Sequence, residues 1–391
     1  MSTSIAIVAT HPIQYQVPWF QLLSRQPGIR LKVYFAILPD EVQQGAGFEI
    51  PFKWDIPMLE GYRWRALPNR CRQPSLQGFF SSSTPSIRSV LASDRPDVVI
   101  ITGWNALPLM QALWACLALR LPRIVRGESN SLRRRPAWLR LLHRAFLSGF
   151  DAFLAIGKAN REFYLQAGVD ASRIFECRYF IDNDRFSARC GASRAGRSGL
   201  REKWGITERS FCFVYVGKLE PKKHIFDLVD ALQAVLRARQ DLHLLVVGTG
   251  ELGTALKAKT EGASLPVSFA GFLNQTELPD AYAAADCLVL PSDDGETWGL
   301  VVNEAMACGL PAIVSDQVGC GPDLVEPDAT GFVFPCGDVA ALAACLARMA
   351  SNPASAGAMG ERAAERIRAY SAEAAVAGTL HAIEFALSQR S

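Results

Sequence analysis

Leu290-Pro-Ser-Asp-Asp-Gly-Glu296-Thr-Trp-Gly-Leu-Val-Val-Asn-Glu304-Ala-Met-Ala-Cys-Gly-Leu-Pro-Ala-Ile-Val-Ser315 reads as the end of one strand, a loop, a helix and a second strand. Apolar runs at Cys287–Leu290 and Ala312–Val314 bound it. Gly299 can end the loop, and the run from Leu300 to Cys308 favours helix. Glu296 then lies on the loop approaching the helix and Glu304 near its beginning. A helix N-terminus carries unpaired N–H groups and a partial positive charge, so it is an anion site. Carboxylates beside such a site make sense when they grip hydroxyls. A ligand with a diphosphate in the middle and polyols at both ends, as in a sugar nucleotide, satisfies both demands.

Outward from this unit, short apolar runs alternate with helical patterns along the chain. Strands are expected at Ile5–Ala9, Leu31–Phe35, Val98–Ile101, Ile124–Arg126 and Ala152–Ile156, then at Phe211–Val216, Leu242–Val247, Val267–Ala270, Cys287–Leu290, Ala312–Val314 and Gly331–Phe334. Helices of the first half are expected near 17–26, 106–120, 136–148 and 158–167. The alternation predicts parallel sheets covered on both faces. At 391 residues the chain is too long for one ordinary core and suits two domains. The Arg-, Gly- and Ser-rich segment 187–205 is the expected linker, and 374–389 has a helical pattern.

Apolar residues make up 49% and charged residues 20% of the chain, which excludes disorder. Ten cysteines are scattered without a C-x-x-C pair, favouring reduced thiols in a cytoplasmic setting over disulfides or a zinc site. The N-terminal run lacks the basic lead and cleavage site of a signal peptide. The apolar stretch 98–119 is interrupted by Gly103, Asn105, Pro108 and Gln111 and reads as strand plus helix. Residues 1–190 carry 24 Lys/Arg against 14 Asp/Glu, and residues 191–391 carry 17 against 24. A basic first half points to an anionic surface or substrate. Arg133 to Phe146 holds a basic, aromatic-bearing helix that either lies on anionic lipid at the inner face of the plasma membrane or buries its apolar side against the sheet.

The two glutamates eight positions apart resemble the signature of retaining family 4 glycosyltransferases. The likeness continues in Val214-Tyr-Val-Gly217-Lys218-Leu-Glu-Pro-Lys222-Lys223, Leu244-Leu-Val-Val-Gly248-Thr-Gly250-Glu251, Val267-Ser-Phe-Ala-Gly271-Phe272 and Tyr282-Ala-Ala-Ala-Asp286. These blocks stand in order over residues 211–330. The resemblance implies a GT-B fold: two Rossmann-like α/β domains with parallel sheets facing across a cleft. Residues 1–190 would form the acceptor domain and 191–370 the nucleotide-sugar donor domain, with 371–391 a helix crossing back to the first.

It also implies roles. Lys218 and Lys223 would place positive charge at the donor diphosphate, and Glu296 would hold donor-sugar hydroxyls; these three are the expected catalytic residues. Gly217 would allow close approach, and the backbone N–H groups of Trp298, Gly299 and Leu300 would meet the diphosphate. Glu304 would take the ribose hydroxyls. Phe272 is a candidate for the base pocket or an ordinary core residue. Lys218 stands where Arg is commoner, and His224 where the family carries glycine.

The first half has no glycine-rich loop after its opening strand; His11, Gln14 and Tyr15 stand there instead, His11 and Gln14 being candidates for acceptor or donor contact. His11 is a candidate base, hydrogen-bond donor or loop cap. Asn105, Arg126 and Glu128 follow later strands and are candidates for acceptor or donor-sugar contact, with an Arg–Glu ion pair the structural alternative. No essential metal or other cofactor is expected, although Asp182-Asn-Asp184 has the spacing of a metal motif. The expected activity is metal-independent hexosyl transfer with retention, from a UDP- or GDP-sugar to a saccharide or lipid-linked acceptor such as a glycolipid, lipopolysaccharide or exopolysaccharide precursor. The alternatives are a non-catalytic nucleotide-binding scaffold and a sugar-nucleotide epimerase. No nucleic-acid partner is expected.

Overall fold

A computed structural model describes residues 2–389; Met1, Arg390 and Ser391, which fall within the expected outer domains, lie outside the described residues. Among the described residues thirteen strands are assigned: β1 Thr3–Ala9, β2 Ile29–Phe35, β3 Arg63–Ala66, β4 Val98–Ile101, β5 Arg123–Val125, β6 Ala152–Ala155, β7 Ile174–Glu176, β8 Phe211–Val216, β9 Leu242–Val247, β10 Val267–Gly271, β11 Cys287–Leu290, β12 Ala312–Ser315 and β13 Gly331–Phe334. They form two sheets, ordered β3-β2-β1-β4-β5-β6-β7 and β10-β9-β8-β11-β12-β13. Every assigned pair is parallel, as in Ile5↔Leu31 and Val214↔Leu245. The central strands read as continuous apolar runs because helices cover both faces; all of Phe211–Val216 is buried.

The first compact unit comprises Met1–Ala46, Pro51–Tyr179 and Ala372–Ser391, and the second Gly47–Ile50 and Phe180–Ser371. The helix Ala372–Ser388 therefore packs with the first sheet. Its Thr379 is fully buried and accepts a hydrogen bond from Trp19 Nε1 at 3.1 Å.

The order of the strands reverses between β1 and β4 in one sheet and between β8 and β11 in the other. In open α/β sheets the loops leaving such neighbouring strands diverge to opposite faces, opening a crevice at their carboxyl ends. The loops after β1 and β4 carry His11, Gln14 and Asn105. Those after β8 and β11 carry Gly217, Lys218 and the approach to Glu296.

One expectation needs correction, and two strands were not expected. The segment 187–205 is not an extended linker but belongs to helices Asn183–Arg194 and Arg197–Lys203. Its polar residues are anchors: Arg194 donates to the Cys308 carbonyl at 2.6 Å, and Arg197 pairs with Asp286 at 2.6 Å. Strands β3 and β7 lacked an apolar run in sequence because both are short edge strands. Arg63 and Arg65 keep the β3 edge charged, a common protection against further pairing.

Candidate active site

In the second unit, Gly299 caps the helix Leu300–Ala307 in the left-handed conformation, with φ 96°. A β-carbon there would stand 2.8 Å from Leu290 Cδ2, so both conformation and space require glycine. Glu296 lies on the approach loop and forms an ion pair with Lys223, both side chains being largely buried. The Ser292 hydroxyl lies 3.4 Å from the same carboxylate oxygen. Lys223 belongs to a 3₁₀ turn, Pro221–Lys223, held by Asp293 N donating to the Lys222 carbonyl at 2.9 Å. The β8 and β11 loops are thus joined at the backbone, which fixes the lysine against the glutamate.

His224, standing where the resemblance implies glycine, has φ 50°. It keeps the left-handed turn that glycine would take freely, and its Nδ1 meets Asp227 at 2.8 Å. Gly217 follows β8, where a β-carbon would lie 3.2 Å from the Tyr215 hydroxyl and 3.8 Å from Lys223 Cε. Lys218 follows; burial lowers its pKa below that of an ordinary lysine, opposed by Glu220.

Glu304 has no solvent-exposed surface and accepts a hydrogen bond from the Tyr282 hydroxyl at 2.7 Å. A ribose would reach it only through movement of the side chains packed over it. The Trp298 ring is also buried, donating Nε1–H to Asn303 at 2.9 Å. Phe272, after β10, meets the Phe48 ring edge-on at 5.2 Å between centroids.

In the first unit, Asn105, Arg126 and Glu128 leave the carboxyl ends of the neighbouring strands β4 and β5, and His11 and Gln14 follow β1. Burial lowers the His11 pKa to about 4, so the ring is neutral near pH 7. Its Nδ1 lies 3.0 Å from the Thr10 hydroxyl. Arg126 is only 2% exposed, stacked over Tyr179 at 4.5 Å and over Trp19 at 5.6 Å. Its Nε and Nη1 lack hydrogen-bond partners, and Nη1 stands 3.8 Å from Glu128. Tyr179 donates to Glu128 at 2.8 Å. Asp182, within the D-x-D spacing, caps its helix by accepting from Arg185 N at 3.1 Å. Among the described residues no group of three or more acidic, histidine or cysteine side chains is disposed around a metal position.

Tyr282, Tyr179, Ser292 and Phe48 were not assigned from the sequence. Tyr282 stood inside a quoted block, but nothing in its spacing links it to Glu304, 22 positions away.

Residues 197–366 match the family described as Glycosyl transferases group 1, and residues 42–176 the Glycosyl transferase 4-like domain. Between them they span both halves of the chain. The chain belongs to the family 4 glycosyltransferases. A GDP-mannose-dependent monoacylated alpha-(1-6)-phosphatidylinositol monomannoside mannosyltransferase of Corynebacterium glutamicum is 33% identical over 186 residues, 46% of this chain and 48% of that protein. The sulfoquinovosyl transferase SQD2 of Arabidopsis thaliana is 28% identical over 66% of this chain and 50% of its own. The match spans about half the length of these curated relatives. Among solved structures, a glycosyltransferase from Rickettsia africae superposes with TM-score 0.75 at 14% identity over the full length of both chains. HepE of Anabaena, in complex with UDP, gives 0.70 at 16% identity over 98% of this chain and all of its own. These likenesses establish the GT-B fold.

Proposed function

We propose that this family 4 glycosyltransferase moves a hexose from a nucleoside-diphosphate donor to an acceptor hydroxyl with retention of configuration. The observation that carries the reading is the Lys223–Glu296 ion pair before the Leu300–Ala307 helix, with Glu304 one turn inside it. As the glycosidic bond breaks, negative charge develops on the leaving diphosphate. Lys218, Lys223 and the helix N-terminus supply fixed positive potential for it. Glu296 accepts from donor-sugar hydroxyls, and Glu304 takes the ribose hydroxyls once the side chains over it move. The departing phosphate oxygen accepts the acceptor's proton, which assigns no separate base. With two lysines neutralising the diphosphate, turnover proceeds without an essential metal.

The donor is a UDP- or GDP-sugar; the GDP-mannose relatives and the UDP-bound HepE support one each. The acceptor is lipid-linked or a saccharide, read from the basic first half and from the phosphatidylinositol mannosides of the relatives. Arg126 and Glu128 lie among its contacts. The helix Ala137–Leu147 supports attachment to an anionic membrane surface. Trp138, Leu141 and Leu142 are 63%, 67% and 57% exposed, beside exposed Arg140 and Arg144. Phe146 packs on Trp104 and Phe150. Among the described residues no helix is long and apolar enough to cross a membrane.

A thermal-shift screen against UDP-, GDP-, ADP- and CMP-sugars in EDTA tests the donor. A ligand bound by the folded state alone raises the melting temperature. One responsive base class establishes donor and metal independence together; no response to any of them overturns the reading.

A further inference from the structure

Gly47–Ile50 belongs to the second unit, although Ala46 before it and Pro51 after it belong to the first. This tetrapeptide carries Phe48 onto the loops of the candidate donor site. The Phe48 carbonyl accepts a hydrogen bond from the Thr249 hydroxyl, and the Thr249 carbonyl accepts from Leu219 N at 2.9 Å. The loop bearing Lys218 and the turn after β9 therefore anchor the segment together. The Phe48 ring is fixed edge-on by Phe272, and the Lys218 ammonium lies 4.8 Å from its centroid.

The backbone is shaped for this contact. Gly47 has φ 88° and Glu49 φ 59°, so left-handed residues flank Phe48 on both sides. Glu49 carries a β-carbon and holds a conformation that such residues disfavour. At Gly47 the reason for glycine is explicit: a β-carbon would stand 2.7 Å from Lys218 Nζ and 3.4 Å from its Cε. The lysine thus lies between a ring and a bare backbone.

We propose that Phe48 is a positioning residue for Lys218 and, through it, for the terminal phosphate of the donor's nucleoside diphosphate. This rests on the donor-site reading above. A lysine side chain has four rotatable bonds and surrenders that freedom when it grips a phosphate. A ring face that already holds the ammonium leaves less freedom to lose. It also screens the charge from water on one side, strengthening its attraction to an anion.

The test compares affinities for UDP and UMP, or GDP and GMP, by titration calorimetry. The diphosphate-to-monophosphate ratio isolates the terminal phosphate, which is where Lys218 acts. Lys218→Met sets the full loss of that ratio. Phe48→Leu is expected to reduce it by about 3- to 30-fold, the range of a partly desolvated cation–ring contact. Phe48→Tyr should restore it. Gly47→Ala disturbs the same lysine from the backbone side, should lower the ratio likewise, and serves if Phe48→Leu does not fold. Equal loss of both nucleotides in Phe48→Leu would place the ring at the base and overturn the proposal; so would an unchanged ratio. If the unsubstituted protein bound neither nucleotide, the donor-site reading itself would fail, a result distinct from a ratio lost only in Lys218→Met.

Discussion

Tyr282 donates its phenolic hydrogen to Glu304 across 2.7 Å, and neither side chain is exposed to water. The bond joins two helices, Leu278–Ala284 and Leu300–Ala307. It fixes the Glu304 carboxyl group between the two helices. A hydrogen bond to a charged group contributes about 1.5–3 kcal/mol. Glu304→Gln keeps the volume but replaces one carboxyl oxygen with an amide nitrogen that cannot accept a hydrogen bond. We expect it to weaken UDP or GDP binding by about tenfold or more, measured by calorimetry, with little change in melting temperature. A large fall in melting temperature with unchanged affinity would make Glu304 a structural residue only.

Glu296 and Lys223 divide the work differently. The two side chains form an ion pair and are both largely buried; in the proposed function the carboxylate serves the donor sugar and the ammonium the diphosphate. Glu296→Ala is expected to reduce kcat by about 100-fold or more, the scale of losing a group that acts in the transition state. Binding of the free nucleotide should stay within about threefold. Lys223→Met strands the buried carboxylate as well as removing phosphate charge, so both kcat and nucleotide affinity should fall. Steady-state kinetics beside calorimetry distinguishes the two patterns. A Glu296→Ala protein with full turnover would refute the assignment.

How much of this site the sequence revealed follows from physical range. Glu296, Gly299 and Glu304 lie within one loop and the start of one helix, so their spacing carries their geometry. Lys218 and Lys223 were legible because a strand followed by a loop fixes the sheet edge on which they stand. Phe48 was not, since it meets Lys218 and Phe272 only through tertiary packing across 170 positions or more. Tyr282 was hidden among alanines that read as helix. The helices over 183–203 were misread because arginine and serine are as common in loops as on anchored helix faces. Their partners Asp286 and the Cys308 carbonyl are distant in sequence. His224 shows the converse: the sequence signalled a missing glycine, and the fold retains the turn.

The lysine beside Phe48 should impose an alkaline limit. Burial lowers the Lys218 pKa, so its charge is lost at lower pH than that of an ordinary lysine. If Lys218 serves the diphosphate as proposed, kcat/KM should fall as pH rises through the depressed value. Lys218→Arg, whose charge persists above pH 12, should displace that limb upward. An identical alkaline limb in both proteins would show that another group sets it.

His243 offers a pH test outside the site. Burial lowers its pKa to about 4 from 6.5, and its Nε2 lies 2.8 Å from the Ser268 hydroxyl. Between these values the unfolded chain holds a proton that the folded chain does not. Its contribution is complete above about pH 6.5 and is lost as the pH falls towards 4, at up to about 1.4 kcal/mol per pH unit. His11 has the same window in the first unit. His243→Gln should flatten the acid decline of the second unit's denaturation free energy by about one proton. A slope equal to that of the unsubstituted protein would mean that the ring is protonated in the fold.

The exposed face of Ala137–Leu147 makes the last prediction. Trp138, Leu141 and Leu142 lie largely in solvent beside arginines, while Leu147 alone in this helix is buried. Apolar side chains of this size gain roughly 1.5–3 kcal/mol each when removed from water, and each arginine near an anionic surface adds about 1 kcal/mol. The protein should therefore sediment with vesicles containing phosphatidylglycerol and not with purely zwitterionic ones, and salt should release it. Leu141→Ser with Leu142→Ser should weaken sedimentation without lowering the melting temperature, because neither leucine is buried. Arg140→Glu with Arg144→Glu should abolish the preference for anionic lipid. Equal recovery in the supernatant with both vesicle types would refute membrane docking, while leaving turnover on a water-soluble acceptor unaffected.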